Sequence, residues 1–296
     1  MTITPPVRTE LVEGQQGFDP SASSGQVKLS PNGVMPPIRP WHWTVPLIVA
    51  VLTAPLWLSF FEPHVFYFFN QHLQALPDLT WSLFSLLGTG WGILALTSPA
   101  LWLCPRLVLA WVCAAPLAGV FTRIGKTWAN SVRPLEVLDA STVHVIGEPL
   151  YVAAMPSGHT LTAFAAAAAL YFALPALKRS RHLWLFALAL GVGLSRMGVG
   201  AHWPADVAMG AALGLLCGLS GAWLCGRIPV KHQQVQSWLT RALALLGGYA
   251  LYVLLSNPMG FVQNMPTQFV LAGFLGLNLV IFFAKTFKPS TPTGAP

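Results

Sequence analysis

From residue 41 onward, long apolar stretches alternate with short polar connections, and eight windows reach the roughly 20 mostly apolar residues that a helix needs to cross a bilayer. They lie near 43–61, 80–103, 107–124, 160–177, 183–200, 204–225, 241–257 and 267–285. The pattern predicts an all-α polytopic membrane protein, because only helices and closed barrels satisfy every backbone group in hydrocarbon. Pro46, Pro55, Pro99 and Pro116 fall within the windows, where neighbouring helices can satisfy the freed carbonyls. Residues 1–40 are rich in Pro, Gly, Ser and Gln without an apolar run, so they read as a disordered, solvated tail. That tail lacks the basic-then-apolar order of a cleavable signal, and the first window is expected to remain as an uncleaved anchor. Between the first two windows, EPHVFYFFNQHLQALPDL mixes aromatics with Glu62, His64, His72 and Asp78, which predicts a short helix lying in the membrane interface.

Composition agrees with the pattern. Of the 296 residues, 54% are hydrophobic and only 8% charged, against about 25% charged in soluble domains. The net charge of +7 forms no basic face on any helix, which argues against a nucleic-acid partner. Cys104, Cys113, Cys217 and Cys225 lie in or beside apolar segments at no metal-binding spacing, so they read as small buried hydrophobes.

Charge does set an orientation. Arg8, Lys28, Arg39, Arg106, Lys178, Arg179, Arg181, Arg227, Lys231, Arg241, Lys285 and Lys288 fall on one side of the predicted spans, and only Arg123, Lys126, Arg133 and Arg196 on the other. By the positive-inside rule both termini are cytoplasmic. The opposite face then keeps its positive charge chiefly where it binds something, which places a candidate site at the periplasmic or extracellular surface.

Three blocks carry the chemistry: Lys126-TWANSV-Arg133-Pro134, Pro156-Ser157-Gly158-His159, and Ser195-Arg196-MGVGA-His202-WPA-Asp206. Lys126, Arg133 and Arg196 are cationic donors, and arginine can match phosphate oxygens two at a time. The second block precedes the apolar run LTAFAAAAAL, so it predicts a helix N-terminus that favours an anion, with Ser157 as cap, Gly158 allowing close backbone approach and His159 at the helix start able to protonate a departing oxygen. His202 and Asp206, four apart, predict one helical face on which the carboxylate orients the imidazole and frees its other nitrogen for attack. Glu136, Asp139, His144 and Glu148, between the first and second blocks, read as solvated loop residues.

The three blocks match K-x6-R-P, P-S-G-H and S-R-x5-H-x3-D, the signatures of the type 2 phosphatidic acid phosphatase family, and the chain resembles that family in the order of its blocks as well. P-S-G-H alone arises by chance about once in 10^5 positions, so three blocks in order are not coincidence. The resemblance implies a six-helix catalytic core over 41–226, followed by two additional C-terminal transmembrane helices over 227–288 and a short tail at 289–296. The added pair carries no acidic residue or histidine and is read as scaffold or as an oligomerisation surface.

The resemblance further implies that His202 forms a phosphohistidine, that Asp206 holds it, and that His159 acts first as general acid and then as general base for water. Lys126, Arg133, Ser157, Gly158 and Arg196 would hold the phosphoryl oxygens, and the scheme requires no metal or cofactor. The expected activity is hydrolysis of a lipid phosphate mono- or diphosphoester at the outer leaflet. Undecaprenyl diphosphate, phosphatidylglycerol phosphate, phosphatidic acid and lipid A phosphate are candidate substrates. A lipid-to-lipid phosphotransferase would use the same residues. A metal hydrolase is disfavoured by three cations crowded around a dication, and a lipid-phosphate transporter by the His-Asp pair facing a second histidine.

Overall fold

A computed structural model describes residues 37–58, 63–175 and 179–287. The tail expected over 1–40 falls outside these residues up to position 36, and Glu62, Lys178, Lys288 and the tail at 289–296 fall outside them altogether. Among the described residues the chain is helical, with no strand. Helices α1 (Val45–Leu52), α2 (Ala54–Leu58) and α3 (Pro63–His72) come first. They are followed by α4 (Asp78–Leu87), α5 (Gly90–Thr97), α6 (Ala100–Leu103), the long α7 (Pro105–Ala129) and the single turn α8 (Pro134–Val137). After an irregular stretch come α9 (Gly158–Ala173), α10 (Trp184–Gly198) and α11 (Pro204–Arg227), and a hairpin of α12 (Trp238–Ser256) and α13 (Met265–Thr286) completes the order.

Among the described residues four stretches are long and apolar enough to cross a membrane, Pro105–Val137, Pro204–Arg227, Val230–Ser256 and Val262–Thr286. The other windows need correction. The window at 80–103 is not one rod: α4 and α5 are bent by 78° at Gly88 and Thr89. The Thr89 hydroxyl donates to Leu86 O at 2.8 Å and accepts from Gly92 N at 3.0 Å, which stops one helix and caps the next. The window at 43–61 is likewise interrupted at Thr53, beside Pro55, which has no N–H to continue the ladder. The windows at 160–177 and 183–200 yield helices of 16 and 15 residues; α9 starts at Gly158, inside the second block, and stops at Ala173, two residues before Pro175.

The centre of the bundle is a seam between α9 and α11. A Cβ on Gly210 would stand 2.8 Å from Ser157 O, and those on Gly214 and Gly218 would meet Leu161 O and Ala165 O. Three glycines spaced by four lie on one helical face, so the two backbones touch, a packing mode suited to lipid surroundings where small residues replace hydrophobic drive. The same helix meets α7 at Gly221, whose missing Cβ makes room for Ala110. The α12–α13 hairpin packs through side chains instead: Leu243, Leu254, Leu275 and Leu279 join Leu94 and Leu101 in an apolar cluster that reaches Ala166 and Ala169 of α9. At the end remote from Pro204, Arg227 lies over the Trp223 ring at 3.4 Å and Lys285 over Trp102 at 4.0 Å, the cation-aromatic pairs of an interfacial belt.

The short interfacial helix exists as α3, but its packed side faces protein. Phe66 and Asn70 are fully buried. Phe66 meets the Trp203 ring at 5.4 Å. The Asn70 amide donates to His144 O and Met197 O, each at 3.0 Å, and accepts from His144 N at 2.9 Å. An amphipathic helix has one apolar stripe, and here that stripe is taken up by the loops around the third block.

Candidate active site

The third block is built on a helix start. Pro204 opens α11 at its first position, where a missing N–H costs nothing. His202 therefore precedes the helix and does not share a helical face with Asp206 as the spacing predicted. Asp206 reaches back instead: its Oδ2 accepts Trp203 N at 2.9 Å and pairs with His202 Nδ1 at 3.2 Å. The pairing survives because a carboxylate at the third helical position points at the residues before the helix. Asp206 Oδ1 is buried and unpartnered.

Arg133 faces the other side of the ring. Its Nη1 stands 3.2 Å from His202 Nε2. A guanidinium can only donate, so Nε2 must be the acceptor and Nδ1 carries the proton that goes to Asp206. This tautomer keeps the lone pair on Nε2, where Arg133 Nη1 now occupies it, so that contact must give way when Nε2 meets phosphorus. Burial, reinforced by Arg133, Arg196 and Lys126, holds the His202 imidazole well below the ordinary histidine pKa and so keeps it neutral at physiological pH; His159 adds to the same effect.

Arg133 itself is tied down. Nε donates to Val152 O at 2.7 Å, Nη1 to Ala201 O at 2.8 Å and Nη2 to Ala153 O at 3.3 Å, while the backbone N donates to Tyr151 O at 2.7 Å. Of its five side-chain N–H groups, one remains for a ligand as the site stands, short of the two-oxygen fork that arginine offers when free. The residue thus staples the 151–153 loop to the third block while presenting charge to the imidazole.

Arg196, 3% exposed, is held differently. Its Nη1 donates to Ser85 Oγ at 2.7 Å, Ser85 lies 3.2 Å from Ser195 Oγ, and Ser195 donates to Val192 O at 2.7 Å. Since Ser195 spends its proton on Val192 O, Ser85 must donate to Ser195, and one directional chain fixes the guanidinium. Arg196 Nε is buried without a partner.

In the second block, Ser157 occupies the N-cap of α9 without the expected cap hydrogen bond. Its Oγ accepts from Thr160 Oγ1 at 3.0 Å, which takes the place of a backbone amide. Ser157 N donates to Asp206 O at 3.0 Å, tying the second block to the third. His159 is partly exposed, and the helix break explains its position: a Cβ on Gly88 would stand 2.9 Å from His159 Cβ and 2.6 Å from Val192 Cγ1.

Lys126, Gly158 and His159 line a cavity of about 670 Å³. Along α7 its wall runs from Lys126 and Arg123 through Ala118 and Ala115 to Trp111, a span of roughly 22 Å at about 1.5 Å per residue. One end is cationic and the rest is mostly apolar, with alanine and glycine between the rings of Trp91 and Trp111 and three threonines as the polar exceptions. Arg133, Arg196 and His202 are buried beside it, at 5%, 3% and 2% exposure.

The eight candidate site residues, Lys126, Arg133, Ser157, Gly158, His159, Arg196, His202 and Asp206, are thus gathered at one end of the bundle. Their surroundings include Ser85, Gly88 and Asn70, which sequence reasoning missed because each sits inside an apolar run without a motif. The loop residues that looked solvated stay apart: Asp139 accepts from Ser141 N at 2.9 Å, and His144 Nε2 pairs with Asp78 Oδ1 at 2.8 Å on the exposed surface. Cys217 and Cys225 are buried, Cys104 and Cys113 partly so, and none of the four is joined in a disulfide among the described residues. Among the described residues no three His, Cys, Asp or Glu side chains cluster closely enough to hold a metal ion.

Comparison with known proteins locates the same region. Residues 105–228 match the profile of the PAP2 superfamily. The bacitracin transport permease protein BcrC of Bacillus licheniformis is 38% identical over 80 residues, 27% of this chain and 37% of that one. Lipid A 1-phosphatase of Porphyromonas gingivalis is 40% identical over 73 residues, 23% of this chain and 16% of that one. The chain therefore spans well under half the length of either relative. The crystal structure of Aquifex aeolicus LpxE is 28% identical, covers 53% of this chain and 92% of that chain, and superposes with a TM-score of 0.46.

Proposed function

We propose that the chain, whose residues 105–228 match the PAP2 superfamily profile, is an integral-membrane lipid phosphatase working through a phosphohistidine. The observation that carries this reading is the state of His202, neutral, with Nδ1 committed to Asp206 and Nε2 facing a guanidinium.

Nε2 attacks phosphorus, a P–N bond forms, and the bond from phosphorus to the leaving oxygen breaks. His159, in its imidazolium form, supplies the proton that oxygen takes and is left neutral. His159 then removes a proton from water, which attacks the phosphohistidine and releases inorganic phosphate while Nε2 recovers its lone pair. Lys126, Arg133 and Arg196, with the Ser157 hydroxyl and the amide at Gly158, balance charge on the equatorial oxygens as it spreads in the transition state. The cavity supports a lipid as the substrate: a cationic mouth for phosphate and an apolar trough for a hydrocarbon chain. Undecaprenyl diphosphate, phosphatidylglycerol phosphate, phosphatidic acid and lipid A phosphate all have that form.

The name of the BcrC relative raises transport as a second reading. A site that only binds has little use for an oriented imidazole opposite a second one. Phosphate release by purified protein in detergent, across a panel of these lipids with and without chelator, separates the readings. Wild type should release phosphate in both conditions and His202→Ala should release none; a variant retaining substantial turnover, or a wild type with none, defeats the proposal.

The charge asymmetry along the chain supports cytoplasmic termini and a site at the outer leaflet. A reporter fused after Lys288 should be cytoplasmic. Finding it outside would reverse the orientation.

A further inference from the structure

The α12–α13 hairpin lies beyond the matched residues 105–228, yet the loop joining its helices comes to the site. Met259 lines the cavity that holds Lys126 and His159. Phe261, 7% exposed, lies with its ring centre 5.9 Å from Arg196 Cζ. Gly260 O accepts Glu148 N at 3.1 Å, which ties the loop to the stretch between the first and second blocks. Asn264 donates to Ser82 O at 2.7 Å and accepts from the Ser82 hydroxyl at 2.8 Å, anchoring the loop to α4 three residues before Ser85. Behind the same wall, Tyr249 of α12 meets edge-on, at 5.3 Å, the ring of Trp91, which also lines the cavity.

The backbone of the loop adds to this. Met259 has φ of +50°, the left-handed region that side chains disfavour, and is held there by its amide donating to Asn257 Oδ1 at 2.7 Å. Such conformations persist where the surroundings over-determine them, and they gather at ligand clamps. Here a conformation that glycine adopts freely is held by a methionine that lines the cavity.

Resting on the phosphatase reading above, we propose that residues 257–264 form a substrate-selecting wall, in which Met259 contacts the first carbons of the lipid chain beyond the phosphate and Phe261 positions Arg196 for the phosphate itself. The chemistry fits each part. A thioether is flexible and polarisable and adapts to an alkyl chain, whereas an aromatic face attracts a guanidinium and restricts where it points. The hairpin is therefore part of the binding site and not only scaffold.

The test uses full-length protein in lipid nanodiscs and measures binding, not turnover, so its outcome is independent of whether phosphate is released. Two phosphonates, whose C–P bonds are not hydrolysed, serve as probes: octylphosphonate and methylphosphonate. Met259→Ala should weaken octylphosphonate about tenfold, the effect of losing one or two methylene-sized contacts, and leave methylphosphonate unchanged. Met259→Leu should restore most of the loss. Phe261→Leu, which keeps apolar bulk in the core but removes the ring face, should weaken both probes by a similar factor of about three. Val270→Ala, at a position 71% exposed on α13 beyond the loop, should match wild type. Unchanged affinity for octylphosphonate in Met259→Ala, equal loss of both probes in that variant, or no binding of octylphosphonate by wild type would each overturn the proposal.

Discussion

The α9–α11 seam and the α12–α13 hairpin are both helix pairs in one bundle, and they are held together by different means. Along the seam, Gly210, Gly214 and Gly218 leave no side chain between the backbones. In the hairpin, side chains mediate: a Cβ on Gly247 would meet the flexible end of Leu279, and those on Gly248 and Gly273 would meet nothing within 4 Å. The seam carries Ser157, His159 and Asp206 on adjoining helix ends, and Ser157 N bonds directly to Asp206 O. Backbone contact fixes the relative position of these groups within the tolerance that chemistry demands. The hairpin has only to deliver a loop, and leucine packing is enough for that. Rigidity is thus concentrated where the two histidines are set and relaxed where the substrate's chain is met.

Arg133→Lys tests this contrast most severely. The substitution keeps a positive charge but cannot reach Val152 O, Ala153 O, Ala201 O and His202 Nε2 at once, since an ammonium is a point donor and not a fork. A fall in kcat of about 10²- to 10³-fold is expected, the size seen when a transition-state donor is lost. Initial rates of phosphate release at saturating lipid measure it. A variant within about fivefold of wild type would mean that the staple serves the loop alone and that its charge is dispensable to the reaction.

Much of this was legible in the sequence, and the reason is chemical type. Lysine, arginine, histidine and aspartate are costly inside apolar helices, so Lys126, Arg133, His159, Arg196, His202 and Asp206 stand out wherever they occur. Their gathering at one end of the bundle follows from the alternation of spans. Hydropathy counts residues without direction, and there the reading failed: 80–103 is uncharged, and hydropathy runs straight through Gly88-Thr89-Gly90, the breaker at which a 78° bend lets α4 and α5 fit around His159. Ser85 and Asn70 were invisible for the related reason that one small polar residue in an apolar helix has no signature until its partner is known. The Ser157 cap was predicted from the commonest use of serine at that position, and Thr160 took the hydroxyl instead. Met259 and Phe261 carry no charge and no motif, so the apolar hairpin looked like scaffold.

One substitution, glycine to alanine, placed in each region gives the comparison its finest test. At Gly210 the new methyl would stand 2.8 Å from Ser157 O and 3.1 Å from Thr160 Cβ, so α9 and α11 must separate and move the residue that holds Asp206 O. Overpacking of this kind costs about 1–3 kcal/mol, and thermal unfolding in detergent should shift down with a parallel loss of turnover. At Gly248, in the middle of α12, the methyl meets open space. There the helix gains the better propensity of alanine, worth up to about 1 kcal/mol, so the unfolding temperature should hold or rise and turnover should not change. Equal destabilisation at both positions would show that the hairpin is packed as tightly as the seam, and the division of labour between a rigid core and a delivered loop would fall with it.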